Sequence, residues 1–419
     1  MPKIVIEGID GSGKSSLIAA LTKSLNEAGV KATFLSEPTD EARAKLREAS
    51  ARGTFHADAP AIFREDRQQV INGIEEKLLD GETVILDRHM LSTIAYQGVK
   101  EDIVKIASEQ LWNFAPPDLT ILLDLPAETA VKRLKAGRSE NELEDDSNKH
   151  FEQLDYLKQV RKNYHRFLGV ASVHSVVIDA TRPPDAVAAI ATNAVLALLG
   201  KTSQKMPQSI FCVPTQTLVK EGFILESDRD TNSTTRCRRF QNDDFQKLQR
   251  ALQEGMWVER VLAETNEELK QIIPAIVVLD PFNKILNYTR KGKEERLHRQ
   301  VSINLGGHID PEDVSDAEFF KSDDWGWQMV KAGANRELHE ELGSAANFCD
   351  PLEYAFGIIN DDSNEVGRVH FGILLFTKSK AALHLRFNEE TGAVQTKTPE
   401  ELKTNPNLEG WAKAILATF

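Results

Sequence analysis

The sequence predicts two domains: an α/β first half, with a parallel sheet and flanking helices, followed by a second, α+β domain. Three observations carry this. The 419 residues exceed what one ordinary core organises. Short apolar runs alternate with amphipathic stretches up to Leu199, the pattern of βαβ units around a buried parallel sheet. Beyond that point strand-like pieces follow one another with few helices, which suits a mixed or antiparallel sheet.

Taken in order, "KIVIEGI" (3–9), "KATFLSE" (31–37), "TVILDR" (83–88), "LTILLDL" (119–125) and "HSVVIDA" (174–180) are the expected strands of the first half. A helix is expected from Lys14, others through Leu78, and another after Arg88. The polar, Gly- and Pro-containing stretch from Leu198 to Ser209 breaks the alternation, dividing the chain into domains at 1–203 and 207–419. After it come the strands "SIFCVP", "AIVVLD", "KILNYTR", "VSINLGG" and "HFGILLFT", and helices over 245–253, 267–272 and 328–342.

A formal net charge of −13 argues against sequence-blind binding to nucleic acid or to an anionic membrane, while leaving room for local phosphate pockets. Hydrophobic residues at 41% and charged residues at 27% match a folded, water-soluble body. Three scattered cysteines, Cys212, Cys237 and Cys349, form neither a disulfide framework nor a CxxC site. No apolar run approaches the ~20 residues of a membrane span, and the N-terminus is no signal peptide. A cytoplasmic protein is expected.

"GIDGSGKSS" places Gly8, Asp10, Gly11, Ser12, Gly13, Lys14, Ser15 and Ser16 between a strand and a helix, at the spacing G-x-x-x-x-G-K-S. That is a P-loop: main-chain N–H groups close around phosphates, Lys14 adds charge, and Ser15 can ligate Mg²⁺. ATP with Mg²⁺ is the expected cofactor. Glu37 ends the second strand, Asp87 and Arg88 end the third, and Phe63 and Arg67 stand one helical turn apart. Active groups of open α/β sheets collect at such strand ends.

Together with "SEPTDEARAKLREA", "FREDR", "DRHMLSTIAYQG", "PPDLTILLDLP" and "VRKNY", these pieces resemble thymidylate kinase across nearly the whole first half, within the P-loop NTPase fold class. The resemblance implies that Phe63 stacks on the thymine ring of dTMP, Arg67 hydrogen-bonds its carbonyl edge, Arg88 and Arg47 hold the acceptor phosphate, and Asp10 takes the sugar 3′-hydroxyl. It places Tyr96 and Gln97 in the same pocket, and it implies a homodimer formed through the kinase domain. It also implies a mobile LID in "VKRLKAGRSENELEDDSNKHF" (131–151), with Arg133 and Arg138 as candidates for the charge over the transferred phosphoryl group. The departure is at Glu142, where the family usually carries an arginine.

In "RELHEELG", Glu337, Glu340 and Glu341 share one helix face while Val330, Ala334, Leu338 and Leu342 form another. Three adjacent carboxylates invite a divalent cation. With "SINLGGHIDPED" upstream, the segment resembles the Nudix box, and Arg336 to Gly343 match its R-E-U-x-E-E-x-G core. The resemblance implies a Nudix hydrolase-like domain using Mg²⁺, or Mn²⁺, with Glu340 among its catalytic groups. The segment from Gly307 to Arg336 is longer than in the family, and the glutamate expected two turns before the arginine is Gln328. His308, His370, Asp361 and Asp362 stay open as general bases, and Arg290, Arg296 and Arg368 as phosphate contacts. The combined expectation is dTMP phosphorylation to dTDP in one domain and metal-dependent hydrolysis of a nucleoside diphosphate-linked compound in the other. The alternatives are a modified-pyrimidine monophosphate as acceptor, and a Nudix-like domain that senses a nucleotide without cutting it.

Overall fold

The computed structural model describes residues 1–136, 153–225, 235–291, 299–314, 324–381 and 391–418. It separates into two compact units. The first comprises Met1–Ser209 together with Met256–Arg260, five residues that the sequence reading leaves in the second domain.

The first unit is built on five parallel strands, β1 (Lys3–Glu7), β2 (Ala32–Ser36), β3 (Thr83–Asp87), β4 (Leu119–Asp124) and β5 (His174–Asp179), in the order β2-β3-β1-β4-β5. Ile4, Ile6, Ile85, Leu86, Ile121 and Val176 are wholly buried, because a parallel sheet is covered on both faces. The crossovers carry α1 (Lys14–Glu27), α2 (Asp40–Ala51), α3 (Phe55–Leu79), α4 (Met90–Gln97), α5 (Ile103–Asn113), α6 (Ala127–Ala136), α7 (Leu154–Phe167) and α8 (Pro184–Leu198). Strand order reverses direction beside β1, so the loops after β1, β3 and β4 open onto one crevice.

The second unit holds a mixed sheet. Its strands are β6 (Ser209–Pro214), β7 (Arg236–Arg239), β9 (Leu269–Leu279), β10 (Ile285–Arg290), β11 (Val301–Ser302), β12 (Gly357–Asn360), β13 (His370–Lys378) and β14 (Thr391–Lys397), while β8 (Met256–Glu259) lies in the first unit. The order is β11-β10-β9-β13-β12-β7, with β14 beside β10 and β6 beside β9. Only β9 and β13 among these pairs run parallel. Ala275, Val277, Ile285, Ile303, Leu374, Leu402 and Ile415 form its core.

One expected helix fails. Residues 267–272 enter β9 at Leu269, and Gln271 pairs with His370 in the parallel ladder. Lys270 and Gln271 are polar, so the stretch reads as amphipathic, but both are buried in the sheet, and tertiary pairing overrides the local pattern. The expected strand "VSINLGG" is regular only over Val301–Ser302, with an isolated bridge from Leu305 to Ile276. The glutamate helix spans Trp325–Leu342, close to its expected limits.

Candidate active site

The loop after β1 turns on glycines. Gly8 has φ +146°, and a Cβ there would lie 2.7 Å from the Leu123 carbonyl oxygen, so only glycine lets β1 and β4 approach at this point. Gly13, left-handed at φ +96°, precedes the first turn of α1, whose main-chain N–H groups face the loop. Lys14 donates to the carbonyls of Gly8 (2.9 Å) and Ile9 (3.2 Å). Burial, and then the charge of Arg88, lower its pKa to about 8 against the pull of Asp10, Asp87 and Glu7. Ser12 Oγ and Asp87 Oδ1 are buried without a hydrogen-bond partner, while Ser15 and Ser16 stand exposed at the start of α1. A cradle with cationic donors and unpartnered polar atoms fits a phosphate chain and its Mg²⁺.

Beside this loop lies a cleft of about 570 Å³. Its lining brings together Asp10, Glu37, Arg47, Phe63, Arg67, Asp87, Arg88, Tyr96 and Gln97, every side chain the sequence assigns to the acceptor. Arg88 adopts φ +70°, which costs a non-glycine residue energy. The turn aims its guanidinium at Asp10 Oδ1 (2.5 Å), Ser92 Oγ (3.1 Å) and the Tyr96 hydroxyl (3.4 Å), with the Tyr96 ring 4.9 Å away. Burial opposes ionisation of Asp10, yet Arg88 and Lys14 hold its pKa below the usual value.

Arg67 is deeper and more committed. It donates to Glu37 Oε2 (2.8 Å), to Gln110 Oε1 and to Thr93 Oγ1 (3.1 Å), so only its remaining N–H groups are left for a ligand. Burial alone would raise the Glu37 carboxyl; Arg67 and then His89 outweigh it and bring it down to about 2. His89 donates from Nδ1 to Glu37 (3.1 Å) and is lowered to about 4, chiefly by burial.

Several cleft groups escaped the sequence reading. Glu7, wholly buried at the end of β1, accepts from the His89 and Ser92 N–H groups, from Ser92 Oγ and from the Tyr164 hydroxyl (3.1 Å). Its pKa is raised by burial. Arg43, Phe55, Ser92 and Thr93 also line the cleft. Glu7 in "EGID" and His89 in "DRHM" lay inside quoted motifs but face inward, where sequence offers no cue to their partners.

Arg133 is placed elsewhere: its guanidinium donates to the Ala180 carbonyl (2.9 Å) beyond β5, and it is not among the residues lining the acceptor cleft. Arg138 and Glu142 lie outside the described residues, as does Arg296.

In the second unit, Glu337 is buried and faces Gly307, whose missing Cβ leaves the room its carboxylate occupies; a Cβ would lie 2.2 Å from Glu337 Oε1. Burial pushes the Glu337 pKa to about 7, with Arg336 pulling it down and Glu340 and Glu341 pushing it up. Arg336 gathers the carboxylates: it donates to Asp313 (2.5 Å), Glu337 (2.8 Å) and Glu340 (3.0 Å), and to the His308 carbonyl (2.6 Å). Glu340 is well exposed. Among the described residues no group of three or more His, Cys, Asp or Glu side chains is arranged to hold a metal. In this arrangement Arg336 lies against Glu337 and Glu340 and supplies compensating charge to both. Of the open candidates for a base, Asp362 is tied to Lys270 (2.6 Å) and Asp361 to Ser363. His308 meets Gln271 Oε1 at 2.7 Å, and its ring lies 5.6 Å from that of His370. Arg290 pairs with Glu409 and Arg368 with Glu267.

The family described as thymidylate kinase matches residues 6–190. A protein of Archaeoglobus fulgidus described as "Probable thymidylate kinase" is 36% identical over 182 residues, 43% of this chain and 87% of that relative. A thymidylate kinase of Leptospira borgpetersenii is 35% identical over 190 residues, 43% and 87% respectively. One from Xanthomonas oryzae is 35% identical over 192 residues, 44% and 78%. A solved structure described as "a putative Nudix hydrolase" is 25% identical and covers 50% of this chain and 97% of its own, but at a TM-score of 0.38 the likeness assigns nothing. No described helix is long and apolar enough to cross a membrane. With a P-loop, an arginine-bearing cleft at the strand ends and relatives matched over most of their length, the chain belongs, through its first unit, to the thymidylate kinase family.

Proposed function

We propose that the first unit transfers the γ-phosphoryl group of ATP to dTMP, and that the second hydrolyses a nucleoside diphosphate-linked compound with a divalent cation. The observation that carries the first half is the cleft, where Arg47 from α2, Phe63 and Arg67 from the middle of α3 and Arg88 from the end of β3 meet beside the P-loop. A monophosphate acceptor is already ionised, so the site needs positive groups that set it in line and no base to remove a proton. Arg88, pinned between Asp10, Ser92 and Tyr96, is suited to hold the acceptor phosphate. Phe63 stacks on the base, and the spare N–H groups of Arg67 read its carbonyl edge. Lys14 and the start of α1 receive the donor phosphates, and Ser15 is the proposed ligand to Mg²⁺. The kinase unit is proposed to act as a cytoplasmic homodimer, which sedimentation of the purified chain checks.

For the second unit, a carboxyl pushed up to about 7 by burial and by its neighbours supports cation binding, since a bound cation relieves that cost. Held by Glu337, Glu340 and Glu341, Mg²⁺ or Mn²⁺ supplies Lewis-acid charge to a diphosphate. A second reading has its own support: Arg336 already neutralises Glu337 and Glu340, and Gln328 replaces an expected glutamate, as suits a module that binds a nucleotide and does not cut it.

The test is nucleotide profiling of the full chain with Mg²⁺-ATP and dTMP beside Glu340→Gln. Equal dTDP and ADP are expected from both, with any AMP or free phosphate disappearing in the variant. No dTDP from either would move the acceptor to a modified pyrimidine monophosphate. Identical profiles, across a panel of nucleotide diphosphate compounds, would favour the sensing module.

A further inference from the structure

The strand β8 reaches the first unit from beyond the linker, flanked on both sides in sequence by segments of the second unit. Its Trp257 is wholly buried. The Trp257 main-chain N–H donates to His165 Nδ1 (3.1 Å), and its indole N–H donates to the His165 carbonyl (2.8 Å). His165 sits in the last turn of α7, where carbonyls lack intrahelical donors. Because Nδ1 accepts, the ring proton is on Nε2 and points to Asp124 Oδ1 (3.1 Å) at the end of β4. Arg161 closes the same carboxylate with two bonds of 2.6 and 2.7 Å.

Another face of α7 stands behind the acceptor cleft and bonds to residues that line it. The Tyr164 hydroxyl meets Ser92 Oγ (2.8 Å), Glu7 (3.1 Å) and Arg88 (3.5 Å). Asn163 donates to the Ala95 carbonyl (2.9 Å), and Tyr156 donates to the Tyr96 carbonyl (2.8 Å). One helix is thus gripped by Trp257 through His165 and, at the adjacent residue, grips the groups that aim Arg88.

We propose that Trp257 is a positioning residue of the phosphoacceptor site, fixing the seating of α7 and through Tyr164 the direction of Arg88. The inference rests on the kinase reading above. A tryptophan that merely filled space would need no donor to His165; this one spends both of its N–H groups on a single residue of α7. Misplacing a reacting group by about 1 Å costs up to about a hundredfold, so the effect belongs in the acceptor's KM or in kcat and not in the binding of ATP.

The experiment uses the full chain, with Trp257→Ala, Trp257→Phe, Tyr164→Phe and the Trp257→Ala/Tyr164→Phe pair, reading KM for dTMP, KM for ATP, kcat and melting temperature. Trp257→Ala is expected to raise KM for dTMP about tenfold with KM for ATP little changed. Both variants keep the main-chain N–H and lose the indole N–H; Trp257→Phe alone retains an aromatic ring and should fall between. If α7 is the route, the pair costs less than the sum of its members. Should the alanine variant fail to fold, the phenylalanine variant carries the same test. A lower melting temperature with kcat and both KM values unchanged, or an equal rise in both KM values, would reduce Trp257 to packing and overturn the proposal. Absence of dTDP with the wild-type chain would instead defeat the kinase reading, and this inference with it.

Discussion

Arg88 and Arg336 are the same side chain in opposite electrical settings. Arg88 pairs with one carboxylate, Asp10, in a cleft that holds Glu37 and Asp87 but also Arg43, Arg47 and Arg67, and that borders Lys14. Arg336 faces Asp313, Glu337, Glu340 and, at 3.9 Å, Asp310. The first neighbourhood carries more cationic than anionic side chains, and the second carries more carboxylates than cations. Burial shifts pKa values in both by the same physics, so the difference lies in which partners the fold supplies.

The largest expected effect breaks the first setting. Arg88→Ala should lower kcat/KM for dTMP by about 10²–10³-fold, the loss expected for a preorganised donor to a reacting phosphate, measured by steady-state kinetics. A rise in KM for ATP alone would put Arg88 at the donor's phosphates and not the acceptor's.

Next is Arg67→Met, which leaves the buried Glu37 carboxylate without its ion-pair partner and with His89 alone beside it. Removing one partner of such a pair costs about 3–5 kcal/mol, so urea unfolding of the first unit should move markedly, together with KM for dTMP. An unchanged midpoint would mean that Gln110 and Thr93 hold the pocket without the ion pair.

The two settings should also answer pH with opposite signs. His89 and Glu37 have depressed folded pKa values, about 4 and 2, so their stabilisation is complete above the unfolded values and is lost as pH falls, His89 between about 6.5 and 4 and Glu37 below about 4.5. Glu337 is raised to about 7, so its contribution is present below about 4.5 and lost as pH rises towards 7. Glu337→Gln should remove that loss, gaining on the order of 2 kcal/mol at pH 8 and nothing at pH 4, and should abolish any thermal shift by Mn²⁺. Hydrogen exchange followed separately in α3 and in the Trp325–Leu342 helix reads both trends; parallel trends would refute the contrast.

The smallest effect is expected at Arg133, held by the Ala180 carbonyl. Arg133→Ala should leave kcat within a few-fold, and a collapse of kcat would show that it swings over the phosphates during turnover.

Much of the first unit was legible because its signals are local. The P-loop glycines, the strand runs and the Phe63–Arg67 spacing each reside within a few residues, and the crevice follows from parallel strands ending together. The second unit was less legible: β7, β12 and β14 are short or polar, and β9 opens on the buried pair Lys270 and Gln271, which reads as amphipathic helix until Asp362 and His308 are seen to satisfy them.

By itself, then, the sequence determined the glycine loop between β1 and α1, the pairing of Phe63 with Arg67 on one helix, and that three glutamates share one helix face, since all of these depend on spacing within one short stretch. Only the tertiary structure decided that Arg67 is locked to Glu37, that Arg336 stands among the glutamates, and that Trp257, far along the chain, closes on α7. Those outcomes depend on which distant group reaches each buried charge or carbonyl first, because a buried polar atom must find a partner wherever the fold provides one.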